Sequence, residues 1–250
     1  MPIIDSFDQA TEAILQPDRV ITPIENFPET IVISFNQKMV EVILAACEHE
    51  QIDEIKEGHI IPIYRVTHKG KVFALCRPGI GEPVVVTALE EILAKGAKKI
   101  MLFGSCGALD KTVTAGKIVV LTHAYRDEGT SYHYMPASDY VEIPTAVRMA
   151  AILEELGVPY VNGRTWTTDA IFRETRGNME KRRAEGCLVV EMECAGVMAM
   201  AQFRGVAAYQ FVYATDNLDA AQWEPRIFGN MPHTLREQIA QIACEVAVRI

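Results

Sequence analysis

Short apolar runs alternate with longer amphipathic segments along most of the chain, which predicts strands separated by helices. The first strand is 30-TIVISF-35, followed by a helix over roughly 37–50. Two more strands, near 60-IIPIYRV-66 and 71-KVFALC-76, flank the turn-like 68-HKG-70 and read as a hairpin. A helix over about 83–95 stops at Gly96, in the position of a C-terminal cap. Strands follow at 99-KIMLFG-104 and 117-KIVVLT-122, and a helix begins at Pro144, a residue suited to a first helical turn. Beyond it come strand 159-PYVNGRTW-166, helix 174–185, strand 187-CLVV-190, helix 193–204, strand 206-VAAYQFVY-213 and a closing helix over 232–249.

This order predicts an α/β protein: a three-layer α/β/α sandwich around a mixed, largely parallel, twisted central sheet, with the hairpin supplying antiparallel character. No internal repeat, low-complexity tract or linker interrupts it, so residues 1–250 are expected to form a single domain with 1–28 as an N-terminal extension. With 49% apolar and 23% charged residues in 250, the chain can bury a sizeable core. A formal charge of −9, with 181-KRR-183 as its one dense basic run, argues against a nucleic-acid partner. No window reaches roughly 18 uninterrupted apolar residues, so no membrane span is expected. The N-terminal MPIIDSFDQATEAILQP is acidic where a signal peptide would be basic, and a cytoplasmic location is expected. Six cysteines, at 47, 76, 106, 187, 194 and 244, stand singly and mostly in apolar runs, as buried reduced thiols do. No C-x-x-C occurs, and His123 and His133 belong to no ligand pattern, so no metal site and no cofactor are expected.

In open α/β sheets the ligand crevice lies beyond the carboxyl ends of the strands. Four predicted strands end in chemistry-bearing residues: 104-GSCG-107, 167-TTDAIF-172, Glu191-Met192-Glu193 and 214-ATD-216. The third is the most unusual, because two carboxylates stand where a buried strand hands over to a buried helix. Favourable charge at a helix N-terminus is worth about 0.3–1 kcal/mol, which explains one glutamate better than two. The other is free to face a ligand.

Gly-Ser-Cys-Gly-Ala after a strand, Val-Glu-Met-Glu-x-Ala-Gly at a strand–helix junction and a later Thr-Asp after a strand, in that order, resemble the nucleoside phosphorylase superfamily. That superfamily includes purine nucleoside phosphorylases, uridine phosphorylases and related nucleosidases. The resemblance runs from about residue 30 to the C-terminus, and 126-RDEGTSYHY-134 is similar to a segment of the uridine phosphorylase branch. It implies that Glu193 takes the two ribose hydroxyls, with Met192 packing on the sugar and Glu191 beside them. A carboxylate is an acceptor-only group matched to a diol. It further implies that Asp216, preceded by Thr215, shares a proton with a departing purine, although Asp216 also suits a turn with Asn217. The base pocket is expected to draw on Cys106, Gly107, Thr168, Ile171, Phe172 and Thr215. Phe172 could equally be a core residue, and Asp169 reads as a structural cap. Asp216 points to a purine, the 126–134 segment to uridine, and the Gln-x-Arg pair that reads uracil is not evident in 172-FRETRGN-178. The base stays open.

At the phosphate end the chain departs from the family. The stretch corresponding to Gly-Asp-Pro-x-Arg is 34-SFNQK-38, with Lys38 in place of the arginine, and the second arginine position is Leu102. A neighbour-contributed arginine aligns near His59. The phosphate set expected from what survives is Ser105, Gly104, Lys38, Ser34 and Arg126, with the glycine turn 79-GIG-81 nearby and Arg77 as a further cation. Lysine is a point charge and does not reproduce the fork of an arginine. Three functions are therefore carried: phosphorolysis of a nucleoside with inorganic phosphate as co-substrate, hydrolysis on the same scaffold, and nucleoside binding without turnover. The resemblance also implies a homo-oligomer built from dimers, a dimer or a hexamer.

Overall fold

A computed structural model describes residues 2–56 and 60–250; His59 lies outside the described residues. In chain order the elements are α1 (Pro17–Val20), β1 (Thr30–Ser34), α2 (Gln37–Ala46), β2 (Glu48–Ile55), β3 (Ile61–His68), β4 (Lys71–Cys76), α3 (Glu82–Lys95), β5 (Lys99–Ala108), β6 (Ile118–Asp127), β7 (Tyr140–Glu142), α4 (Ala146–Glu155), β8 (Tyr160–Thr168), α5 (Arg176–Ala184), β9 (Cys187–Glu191), α6 (Cys194–Arg204), β10 (Ala207–Asn217) and α7 (His233–Ala247). The apolar runs became strands because β-branched and aromatic residues pack well on a pleated surface covered on both sides. All five residues of β1 are buried.

The sheet is mixed, as expected, and helices cover it. β1 runs parallel to β4 and β5, and the β3–β4 hairpin carries β2 on its outer side. The hairpin turn is formed by Lys69 and Gly70, both at positive φ, which matches the twist of the strands it joins. The helix expected over 37–50 ends at Ala46, and residues 48–55 form β2 instead. The charged sequence EHEQIDEI is largely exposed on this outermost strand, and charged side chains are a usual way to protect a sheet edge.

Strands β5, β10, β6, β8 and β9 close on themselves. β5 pairs with β10 in parallel, β10 with β6 antiparallel, β6 with β8 and β8 with β9 in parallel, and β9 returns antiparallel to β5. The closing contact joins carboxyl ends, Gly107 opposite Val190 and Ala108 opposite Val189. Two parallel pairs therefore meet tail to tail, β5 and β10 from one side, β8 and β9 from the other. The strands also outrun their apolar sequences: 104-GSCG-107 lies within β5 and 214-ATD-216 within β10, where loops were expected. Backbone pairing between the two carries them past the end of the hydrophobic pattern. A bulge between Ala214 and Asp216 brings Asp216 opposite Gly107, and such bulges re-aim side chains.

Candidate active site

The two glutamates at the β9–α6 junction have different tasks. Glu191, at the end of β9, is buried, and its carboxylate accepts from four donors of the protein. One carboxylate oxygen accepts from Thr165 Oγ1 at 3.2 Å and Thr167 Oγ1 at 2.6 Å, the other from the backbone N–H of Glu193 at 2.8 Å and of Cys194 at 2.7 Å. The last two are among the orphan donors of a helix N-terminus, so Glu191 ties β8, β9 and α6 together. Burial pushes its carboxyl upward despite these bonds. Glu193 is the N-cap residue of α6, yet its side chain makes no capping bond. It accepts instead from the N–H of Gly81 at 2.9 Å. Gly81 sits at φ 95°, a conformation that L side chains rarely adopt, at the start of α3. Burial, reinforced by the charge of Glu191, pushes Glu193 up to about 8.

Both glutamates border a cavity of about 630 Å³. Met192, Ser105, Cys106, Gly107, Ile171, Phe172, Thr215 and Asp216 line the same space. Ten of the fifteen residues singled out from sequence are thus brought together. Asp216 accepts from the indole N–H of Trp223 at 2.7 Å and from Thr215 Oγ1 at 3.1 Å, and burial raises its carboxyl. Trp223 packs edge-to-face on Phe228, with ring centroids 5.8 Å apart, so the segment after β10 forms an aromatic wall. Phe172 is almost fully exposed at the rim, outside the core.

Sequence reasoning missed Glu174, Phe35, Trp223 and Phe228, all of which line the cavity. Glu174 was assigned to a helix over 174–185, but α5 starts at Arg176 behind the Thr175 cap, leaving Glu174 in the wall. Burial and the charge of Asp216 push Glu174 up to about 7. A Ser/Thr/Asp/Asn N-cap is a readable helix signal, and Thr175 carried it. Trp223 and Phe228 lie in an irregular segment whose apolar residues follow no period.

Five of the residues singled out do not line the cavity. Arg126 is buried with its guanidinium committed to Ser131 Oγ at 2.7 Å and the carbonyl of Pro136 at 2.7 Å, and it stacks on Tyr132 at 4.0 Å. Thr168 turns inward and accepts the N–H of Ala170 at 3.2 Å, while Asp169 accepts the N–H of Gly129 at 3.1 Å, a structural tie. Lys38 is exposed on the first turn of α2. Gly104 is buried beneath Phe35, whose ring would stand 3.0 Å from an added Cβ. Ser34 is buried with a hydroxyl that has no protein partner. Leu102 is fully buried in the core. Arg77, directly after β4, donates to Gln37 Oε1 at 2.8 Å and so reaches the first turn of α2. The parallel register that sets Ile33 beside Cys76 and Ser34 beside Phe103 brings Ser34, Arg77 and Gly104 to about the same level on three adjacent strands.

The sequence matches the phosphorylase superfamily over residues 30–248, and the chain belongs to that superfamily. Its relatives include several nucleoside phosphorylases. Guanosine phosphorylase of Halorubrum lacusprofundi is 28% identical over 198 residues, 77% of this chain and 80% of that protein. Purine nucleoside phosphorylase of Plasmodium vivax is 29% identical over 192 residues, 74% and 77% of the two chains. Uridine phosphorylase of Salmonella typhimurium is 27% identical over 165 residues, 58% and 64%. In three dimensions the chain is similar to a crystal structure of purine nucleoside phosphorylase from Toxoplasma gondii in complex with immucillin-H, with TM-score 0.74 and 21% identity over 97% and 98% of the two chains. No described helix is long and apolar enough to cross a membrane.

Proposed function

We propose that the protein is a purine nucleoside phosphorylase. The observation that carries this reading is that Glu193 and Asp216, more than twenty residues apart in sequence, border one cavity. Glu193 receives the 2′- and 3′-hydroxyls of the ribose, held at the right height by Gly81, and Met192 packs on the sugar. The base lies toward Cys106, Gly107 and Thr215, with Phe172, Trp223 and Phe228 offering the flat apolar faces a heterocycle favours. An oxygen of inorganic phosphate forms a bond to the anomeric carbon as the N-glycosidic bond breaks. The bonding pair leaves with the base, and Asp216 gives or shares a proton at a purine ring nitrogen, relieving the negative charge that builds there. The products are free purine and ribose 1-phosphate, and no cofactor or metal enters the reaction.

Purine is favoured over uridine because two acids, Asp216 and Glu174, border the cavity and both are raised by burial. A proton-holding acid suits the ring nitrogen of a purine leaving group. For phosphate, the reading assigns Ser105 within β5, the unpartnered hydroxyl of Ser34 at the end of β1 and Arg77 directly after β4, with Arg77 replacing the arginines that Lys38 and Leu102 do not supply. A cytoplasmic homo-oligomer is the expected setting.

The test is release of free base from a panel of purine nucleosides and uridine, with and without phosphate. Phosphate-dependent release from purine nucleosides, with ribose 1-phosphate formed in equal amount, is expected. Release at the same rate without phosphate overturns phosphorolysis in favour of hydrolysis. Absence of release leaves a binding protein.

A further inference from the structure

Away from the cavity, three elements bring together a set of side chains that their sequence positions hide. Cys47 follows the last turn of α2, His68 ends β3, and Cys244 lies on α7. Their Sγ, ring nitrogen and Sγ atoms all lie within 4.8 Å of one another. Cys47 Sγ is 3.8 Å from His68 Nδ1. A tetrahedral zinc ion with Zn–S about 2.3 Å and Zn–N about 2.0–2.1 Å separates its sulfur and nitrogen ligands by about 3.6 Å. The second ring nitrogen, Nε2, is 2.9 Å from Glu245 Oε1. A carboxylate on the far nitrogen is the arrangement that fixes tautomer and ring orientation in metal-binding histidines, and it leaves Nδ1 free to face the two sulfurs.

We propose that Cys47, His68 and Cys244 form a site for a thiophilic divalent cation, zinc in the first place, with water in the fourth position. Two sulfurs and an imidazole match the preference of Zn²⁺ among available cations. The charges balance as well: two thiolates neutralise the ion, while Glu245 is paired with Lys69 at 2.5 Å and with Arg249. Entry is open, since Cys47 is half-buried and Cys244 closes the floor. The bound ion ties the ends of α2 and α7 to the β3–β4 hairpin. None of the three ligands lines the cavity, so the site is separate from nucleoside chemistry.

The experiment uses the full chain, reduced and stripped of metal. Zn²⁺ is titrated against a chromophoric chelator, and Co²⁺ is added as a spectroscopic probe for thiolate ligation. One ion per chain is expected, with a thiolate-to-cobalt charge-transfer band and a melting temperature that rises with zinc, since a ligand that binds only the folded state stabilises it by mass action. Cys47→Ser is expected to abolish the charge-transfer band or halve it and to weaken zinc binding at least tenfold. Glu245→Gln, which keeps the ligands, should weaken it about 10–100-fold. Should Cys244→Ala fail to fold, Cys47→Ser at its half-buried position decides alone. The proposal is overturned if the unaltered chain binds zinc no more tightly than Cys47→Ser, or if cobalt gives no thiolate band. A disulfide between the two cysteines under reducing conditions overturns it as well.

Discussion

The cavity wall that holds Glu193 and Asp216 and the neighbouring strand ends that hold Ser34 and Arg77, outside its lining, are built differently. The first is made by β5, β8, β9 and β10, four members of a closed ring whose carboxyl ends brace one another, with Glu191 as a buried knot between three elements. The second rests on the turns after β1 and β4, where the cation is half-exposed and its hydrogen-bond partner is a side chain. A preorganised wall can stabilise charge without rearranging. An end made of turns tolerates exchange of one basic residue for another. Under the proposed reading, the residues that resemble the family's stand on the braced side, and Arg77 takes over the anion on the other.

Asp216→Asn is the sharpest test of the braced side. General-acid catalysis contributes typically about 10²–10⁴-fold, so purine nucleoside cleavage should slow by that order while the melting temperature barely moves. Asparagine keeps one oxygen for the indole N–H of Trp223 and turns its amide N–H toward Thr215, whose hydroxyl can accept it while donating to the carbonyl of Cys106 at 3.3 Å, so the fold has little reason to change. Turnover near the original rate would remove the acid from the mechanism.

The two glutamates separate next. Glu193→Ala should raise KM and lower kcat together, by about 10–100-fold in kcat/KM, since a hydrogen bond to a charged group is worth about 1.5–3 kcal/mol. Glu191→Gln should instead act on the fold. Its amide turns a donor toward hydroxyls or N–H groups that already donate, and a buried donor left unsatisfied costs about 1–3 kcal/mol. Denaturant melts and kinetics of the two variants should therefore cross. If Glu191→Gln is as stable as the unaltered chain, the knot is not what holds this wall.

At the other end, Arg77→Ala should raise the KM for phosphate about tenfold with little change in the KM for nucleoside, in line with the loss of one charged contact. Lys38→Ala should change it less than twofold, because Lys38 is exposed on the first turn of α2, whereas Arg77 is half-buried beside the ends of β1 and β4. The reverse ranking would return the anion site to the family position.

The same contrast governed what could be read from sequence. The junction 187-CLVVEMECAGVMAMA-201 announced its chemistry because apolar periodicity stops abruptly at two carboxylates. Alternation of apolar runs with amphipathic segments located the principal strands and helices. It failed at β2, where an edge strand is charged and partly exposed, and at the ends of β5 and β10, which are prolonged by pairing with each other. Closure of the ring depends on contacts such as Gly107 with Val190, eighty-odd residues apart, and no local pattern encodes them. Arg126 misled for a related reason: an arginine in a family-like segment looks like an anion ligand until its guanidinium is found committed to Ser131 and Pro136.

Glu174 gives the finest probe of the comparison, because it joins the braced wall from a turn just outside α5. It shares the cavity with Asp216, whose charge acts on its carboxyl. Glu174 is pushed up to about 7 by burial and by the charge of Asp216. Below that value Glu174 holds a proton that cleavage can use, and above it the proton is lost. The kcat/KM for a purine nucleoside should therefore fall as pH rises through about 7. In Glu174→Gln the remaining titrating acid is Asp216, raised by burial but not by the charge of Glu174. The alkaline limb should then move to lower pH, with the plateau rate at acid pH changed only a few-fold. A limb that stays in place in Glu174→Gln would mean that its proton plays no part, and that Asp216 works alone against the departing base.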